Sequence, residues 1–238
     1  MPTIGSRKRN DVMRIGIAGL AGVGKNTAAD FVAERLGLPC VAFATPIHEA
    51  AKYVFGTLCL ERAIKELSLP FGSEGFAYTS KIAQSIINEC SLDISDEKIQ
   101  NALKATFTNP ETGQIYEELS PRKFMQLFGT EFGRTIDEKI WVRAVEAKYQ
   151  DCVISDVRFT NELGICNVII LVERDAGGIE GNHISENLAT RLASCPRDVD
   201  YFTITSVEYK VVGFCVDNNG TIDDFHKNLK QKLSKIHL

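Results

Sequence analysis

The segment Gly19-Leu-Ala-Gly-Val-Gly24-Lys25-Asn26-Thr27 fits the pattern G-x-x-x-x-G-K. It stands between an apolar run and an amphipathic one. The run Arg14–Gly19, RIGIAG, is continuous and β-branched, as expected of a strand buried on both faces. From Lys25 to Leu36 the apolar residues Ala28, Phe31, Val32 and Leu36 share one helical face. Gly37 then offers a left-handed C-cap, with Pro39 just beyond. A strand, a glycine turn and a helix N-terminus together make an anion cradle. Glycine lets phosphate oxygens approach backbone N–H groups that a Cβ would crowd. The helix start adds oriented donors and partial positive charge, and Lys25 supplies a full charge for β- and γ-phosphates. Position 26 departs from the pattern, which wants a Ser or Thr hydroxyl for magnesium. Here it is Asn, with Thr27 next, so the metal ligand stays open between them. Two other readings compete. GLAGVG also resembles a dinucleotide-binding turn, which requires an acid at the end of the second strand; VAFATP offers none. The third is a glycine turn with a chance lysine.

Further along, a short strand at Cys40–Ala44 precedes Pro46 and a helix to about Phe55. Strand and helix alternate, which predicts an α/β fold with a parallel sheet. Residues 57–118 break the rhythm. They read as a mostly helical insertion covering one edge of the sheet, with turn signals at SLPFGSEG and TNPETGQ. Ser120–Pro121 predicts an N-cap and first helical residue, opening a helix to about Phe132. A second helix follows over Ile136–Tyr149. Strands are expected at Cys152–Ser155 and Val168–Val172. The glycine-rich RDAGGIEGNHISEN reads as a loop or lid. β-like segments near 201–206 and 210–216 lead through an NNG turn to a final helix, about 222–236.

The first of these late strands ends on Asp156, followed by Arg158, Asn161 and Glu162. A carboxylate emerging from a buried strand beside a phosphate loop is what phosphoryl transfer needs near its metal. A surface turn with a salt bridge is the alternative.

The 238 residues suffice for a full core without staples. Net charge is −4, which argues against a sequence-independent binder of nucleic acid polymers while leaving room for a local cationic pocket. Seven cysteines, with no C-x-x-C pair, read as reduced and buried thiols. No apolar run reaches the roughly 18 residues of a membrane span, and MPTIGSRKRND lacks the features of a secretory signal. The cytoplasm is the expected compartment, and no membrane partner is expected.

The blocks GVGKNTAADF, FATPIHEAAKYVFG, RKFMQLFGTEFGRTIDEKIWV and VISDVRFTNE, then His183-Ile-Ser-Glu186, occur in that order. Together they resemble the deoxynucleoside monophosphate kinases of tailed bacteriophages over about residues 14–190, thinning through 57–118. The tail DNNGTIDDFHKNL resembles that family's closing strand, turn and helix.

The resemblance implies a P-loop NTPase-type α/β fold: a parallel sheet flanked by helices, with a mostly helical insertion and a lid. Residues 1–13 would be a flexible tail, 14–238 one kinase domain, 57–118 the insertion and 174–190 the lid. It implies transfer of the ATP γ-phosphate, with Mg2+, to a deoxynucleoside monophosphate, giving the diphosphate. Gly22, Val23, Gly24, Lys25, Asn26 and Thr27 would hold ATP. Ile47, His48, Arg122, Gln126, Gly129, Arg134 and Trp141 would hold the acceptor. His48 stands where the family often has Lys, which weakens a fixed charge there. The arginines suit bidentate phosphate contacts, Gln126 a base edge and Trp141 a stacking platform, although Trp141 fits a core anchor equally well. Asp156 and Arg158 match the family's D-x-R, serving metal and acceptor. Arg174, His183 and Glu186 would act from the lid. The metal would be held by Asn26, Thr27 and Asp156. The implied partners are small-molecule nucleotides, with a homodimer allowed, in the host cytoplasm if the chain is phage-encoded. Two further readings stay open: a kinase for another small phosphorylated metabolite such as dephospho-coenzyme A, and a nucleotide-binding ATPase switch.

Overall fold

The computed structural model describes residues 12–174, 202–205 and 210–234. The chain divides into two compact units, one made of Met1–Ala42 with Tyr149–Leu238, the other of Phe43–Lys148.

The first unit begins with strand β1 (Arg14–Ala18), helix α1 (Lys25–Leu36) and strand β2 (Cys40–Val41). All five residues of β1 are buried, Arg14 included; its Nε donates to the Tyr149 carbonyl over 3.0 Å. Helix α1 ends as its sequence requires. Gly37 is left-handed at φ 66°, and the amide of Leu38 reaches back to Ala33 O over 3.0 Å. β2 stops at Val41, short of the expected Ala44, because the chain turns at Phe43 and Ala44 into the next helix.

The second unit comprises α2 (Thr45–Phe55), β3 (Leu69–Pro70), α3 (Gly72–Glu89), α4 (Asp96–Phe107), β4 (Glu118–Leu119), α5 (Pro121–Gln126), α6 (Gly133–Ile136) and α7 (Ile140–Lys148). The 57–118 stretch lies wholly inside it and is mostly helical. Part of SLPFGSEG pairs as β3 with β4, antiparallel, and Gly72 opens α3. Ser120 caps α5 as its sequence predicts, its hydroxyl accepting from the Lys123 amide over 3.2 Å. Between α5 and α6 the backbone widens into a π-helical segment, Leu127–Phe132. The expected helix end at Phe132 therefore moves to Ile136. The core is aromatic: Phe71, Phe107, Phe124, Phe128 and Phe132 form an unbroken stack, with neighbouring centroids 5.1–6.1 Å apart. Burying a phenyl ring stabilises by roughly 2–3 kcal/mol, and offset ring pairs add to that.

The chain then returns to the first unit with β5 (Cys152–Ile154), α8 (Thr160–Leu163), β6 (Val168–Glu173), β7 (Phe202–Thr205), β8 (Lys210–Asp217) and α9 (Ile222–Leu233). The six-stranded sheet has the order β2-β5-β1-β6-β8-β7. Every neighbour pair is parallel except β7 with β8. β1 is thus central, flanked by β5 and β6, with Gly16 opposite both Ile154 and Ile169. Its core includes Ile15, Ile17, Val32, Ile170, Phe225 and Leu229. The cysteines correct the expectation of uniformly buried thiols. Cys59, Cys152 and Cys166 are buried and Cys90 and Cys215 half-buried, but Cys40 is exposed because β2 is the sheet's edge. Burial pushes the Cys90 and Cys152 thiols up to about 11. Cys195 lies outside the described residues.

Candidate active site

The site grows from the sheet order. In an open parallel sheet, ligands sit beyond the carboxyl ends of the strands. β1 ends at Ala18 and feeds the glycine loop; its neighbour β5 ends two residues before Asp156. Adjacent parallel strands therefore deliver the loop and the carboxylate to the same edge. A cavity of about 450 Å3 opens there, lined by Gly22, Gly24, Lys25, Asn26 and Thr27 of the loop and by Asp156 and Arg158.

Gly24 sits at φ 99°, and a Cβ there would lie 2.6 Å from Asn218 Nδ2. Both the conformation and the close approach require glycine. Val23 is buried with the core of the first unit, so its side chain anchors the loop and does not line the cavity. Asn26 and Thr27 are exposed at the start of α1. The Lys25 ammonium donates to the carbonyls of Gly19 (3.0 Å) and Leu20 (2.8 Å) and stands 3.6 Å from Asp156 Oδ1.

Asp156 divides its oxygens. Oδ2 accepts from Arg158 Nε over 2.6 Å and also pairs with Arg158 Nη2. Oδ1 is buried without a hydrogen-bond partner among the described residues. The Lys25 ammonium at 3.6 Å gives it an ion pair but no hydrogen bond. An unsatisfied buried carboxylate oxygen is costly and marks a place for a ligand or ion. It fits a magnesium site in which substrate phosphates and water complete the shell. No cluster of three or more His, Cys, Asp or Glu side chains suited to a metal occurs among the described residues, so the chain alone does not form an all-protein cage.

Two residues that the sequence reading did not assign hold this site. Asn218, in the turn after β8, donates from Nδ2 to Val23 O over 2.7 Å, and its own amide donates to Glu173 O over 2.8 Å. Glu162 of α8 accepts from the amides of Arg158 (2.6 Å) and Phe159 (3.0 Å) on one oxygen. The NNG turn and the close of VRFTNE were visible signals, but as a turn and as part of a polar run. Arg174 follows β6 directly and is exposed; His183 and Glu186 lie outside the described residues.

The remaining candidates belong to the second unit. Ile47 and His48 are half-buried on the first turn of α2. Burial, then the nearby charges of Lys65 and Lys52, lower the His48 pKa below its ordinary 6.5, so this histidine is neutral at pH 7. Arg122 is exposed and pairs with Glu66 over 2.5 Å. Gln126 and Arg134 are exposed, and Arg134 makes no ion pair among the described residues; Asp137 pairs instead with Arg143 at 3.4 Å. Gly129 lies in the π segment, where a Cβ would meet Ile47 Cδ1 at 2.8 Å. The carbonyl of Gly129 accepts from the Trp141 indole N–H over 2.7 Å, and the indole packs 5.5 Å from Phe128. That is an anchoring geometry. π segments recur at functional sites and need partners for their displaced carbonyls, and Trp141 supplies one.

A mostly parallel sheet flanked by helices, with a glycine–lysine loop after its central strand and a strand-end carboxylate beside the lysine, defines an α/β protein with an anion-binding loop at the carboxyl edge of its sheet. Comparisons with known proteins narrow the class. The sequence model for deoxynucleotide monophosphate kinases matches residues 73–192. A deoxynucleoside-5'-monophosphate kinase of Escherichia phage T5 is 30% identical over 177 residues, spanning 62% of this chain and 69% of the relative. A protein of Acanthamoeba polyphaga mimivirus, provisionally named a deoxynucleotide monophosphate kinase, is 26% identical over 234 residues, 90% of this chain and 93% of its own. A solved structure, TT1252 from Thermus thermophilus, covers 95% of this chain and 98% of its own at 14% identity with a TM-score of 0.37, too distant a likeness to bear on fold or function. The chain belongs to the deoxynucleotide monophosphate kinase family. It is a nucleotide kinase, a phosphotransferase whose acceptor is itself a phosphate group. No helix among the described residues is long and apolar enough to cross a membrane.

Proposed function

We propose that this kinase moves the γ-phosphoryl group of ATP to a deoxynucleoside monophosphate, releasing the two diphosphates. The observation that carries the reading is the gathering of Lys25, Asp156 and Arg158 around one cavity floored by the glycine loop. An acceptor phosphate oxygen would attack the γ-phosphorus as the bond to the β-bridging oxygen breaks. The nucleophile is already anionic, so no general base is needed. The protein's work is positioning and charge neutralisation, since the transition state is loose.

Gly22, Val23, Gly24, Asn26 and Thr27 would present backbone and side-chain donors to the polyphosphate. Lys25 would exchange the Gly19 and Leu20 carbonyls for phosphate oxygens. Asp156, with Asn26 or Thr27, would hold Mg2+, which when bound neutralises charge on the transferring phosphates. Arg158 and Arg174 would stabilise the phosphoryl oxygens. On the second unit, Arg122 and Arg134 would bind the acceptor phosphate, Gln126 its base, and the Ile47–His48 turn with Gly129 its surroundings.

The test is a steady-state assay with ATP–magnesium and each of the four common deoxynucleoside monophosphates, with products resolved by chromatography. A deoxynucleoside diphosphate formed in step with ADP supports the reading. Inorganic phosphate as the only new product, whichever acceptor is present, rejects it in favour of an ATPase.

A further inference from the structure

We infer that Glu162 is a positioning residue for phosphoryl transfer, a carboxylate set beneath the Asp156–Arg158 turn that fixes where Arg158 points. The inference rests on the reading that Arg158 serves the transfer.

The backbone after β5 is tied at nearly every step. The amide of Ser155 donates to Val41 O (2.8 Å) and that of Val157 to Ile17 O of β1 (2.9 Å). The next two amides, of Arg158 and Phe159, have no strand left to pair with. Both turn to Glu162 Oε2, over 2.6 and 3.0 Å. Val157 is buried at 3% exposure and points into the core, which leaves the residues on either side of it, Asp156 and Arg158, to line the cavity. The alternation of a strand is thus continued past the strand's end by a side chain standing in for the missing carbonyls.

The choice of a carboxylate is expensive. Glu162 is 9% exposed, and burying its charge is unfavourable unless the charge is hydrogen-bonded. Burial raises its pKa, and the two amides pull the other way. Capping alone is a poor reason for that expense, because α8 is only four residues long. What the carboxylate fixes is the direction of Arg158, whose Nε bonds Asp156 Oδ2 at 2.6 Å. Two charge-assisted bonds on consecutive amides leave the turn little freedom, and a small error in placing a charged group costs much rate.

A double-mutant cycle tests this with the full-length protein. Glu162→Ala should lower kcat/KM for the deoxynucleoside monophosphate about 10-fold or more and leave the KM for ATP within about twofold. If Glu162→Ala does not fold, Glu162→Asp, one methylene too short to reach both amides, takes its place in the cycle. In the Arg158→Ala background, the same change should cost less than about twofold, because the group being positioned is gone. If the two effects multiply in full, or if the folded Glu162 variant transfers like wild type, Glu162 is merely structural and the inference fails while the Arg158 assignment stands. If Arg158→Ala alone transfers normally, the assignment fails and takes the inference with it.

Discussion

The side-chain amide of Asn218 donates to the carbonyl of Val23 over 2.7 Å, joining positions 195 residues apart in the chain. The glycine loop is therefore held from outside as well as by its own glycines. A loop that binds polyphosphate through backbone amides works best when those amides are already aimed, and on the proposed reading the Asn218 bond to Val23 would help to aim them. Replacing it by Ala removes that bond and costs about 1 kcal/mol. Asn218→Ala should weaken ATP–magnesium binding several-fold by calorimetry, with the acceptor KM unchanged. Unaltered ATP affinity would show that the loop holds its shape alone.

Lys25 offers a cleaner separation of chemistry from stability. Its ammonium binds two loop carbonyls and pairs with Asp156, all near the cavity. Lys25→Ala should lower the transfer rate by a factor of about 100 or more, while circular dichroism and the urea midpoint stay close to wild type. A variant that retains its rate would place the donor phosphates elsewhere.

His48 gives a pH signature with a definite sign. Its folded pKa lies below the ordinary 6.5, through burial and then Lys65 and Lys52. The neutral ring is the form that the fold favours. The stability this contributes is complete above pH 6.5 and is lost as pH falls through the lowered folded value. Urea denaturation of wild type between pH 7.5 and 5 should show that loss on top of the protein's other titrations. His48→Asn should have a shallower acid slope, by some fraction of one proton. Parallel curves would disprove the assignment.

Trp141 is the sole tryptophan of the sequence, and its indole N–H satisfies the Gly129 carbonyl in the π segment. Trp141→Phe keeps the ring packing and loses the bond. The expected cost is about 1 kcal/mol, a fall in Tm of a few degrees, with kinetics disturbed chiefly on the acceptor side. A Tm equal to wild type would mean that the π segment does not need the indole.

Much of the fold is legible in the chain because the signals are local. RIGIA reads as a buried strand, Gly37 as a helix stop and Ser120–Pro121 as a helix start, and each is found so. The loop and Asp156 are legible because their spacing carries their chemistry. What escapes is set by partners remote in sequence. QLFGTEFG has ordinary helical spacing, yet it widens into a π segment whose freed carbonyl is met by Trp141 twelve positions on. Cys40 reads as an apolar strand residue, but whether it is covered depends on β2 lying at the sheet's edge. Glu162 and Asn218 look like members of polar turns until backbone groups from other segments arrive beside them.

The tie between Asn218 and Val23 also bears on how this kinase comes alive during synthesis. Domains fold broadly from the N-terminus as they leave the ribosome, yet the brace for the glycine loop is translated 195 residues after the loop itself. A nascent chain long enough to contain Lys25, Asp156 and the whole of the second unit still lacks β8, Asn218 and the α9 residues Phe225 and Leu229 that join the core around β1. Catalytic competence would then switch on abruptly once β8, Asn218 and α9 are in place, and products cut short before them would idle instead of squandering triphosphate.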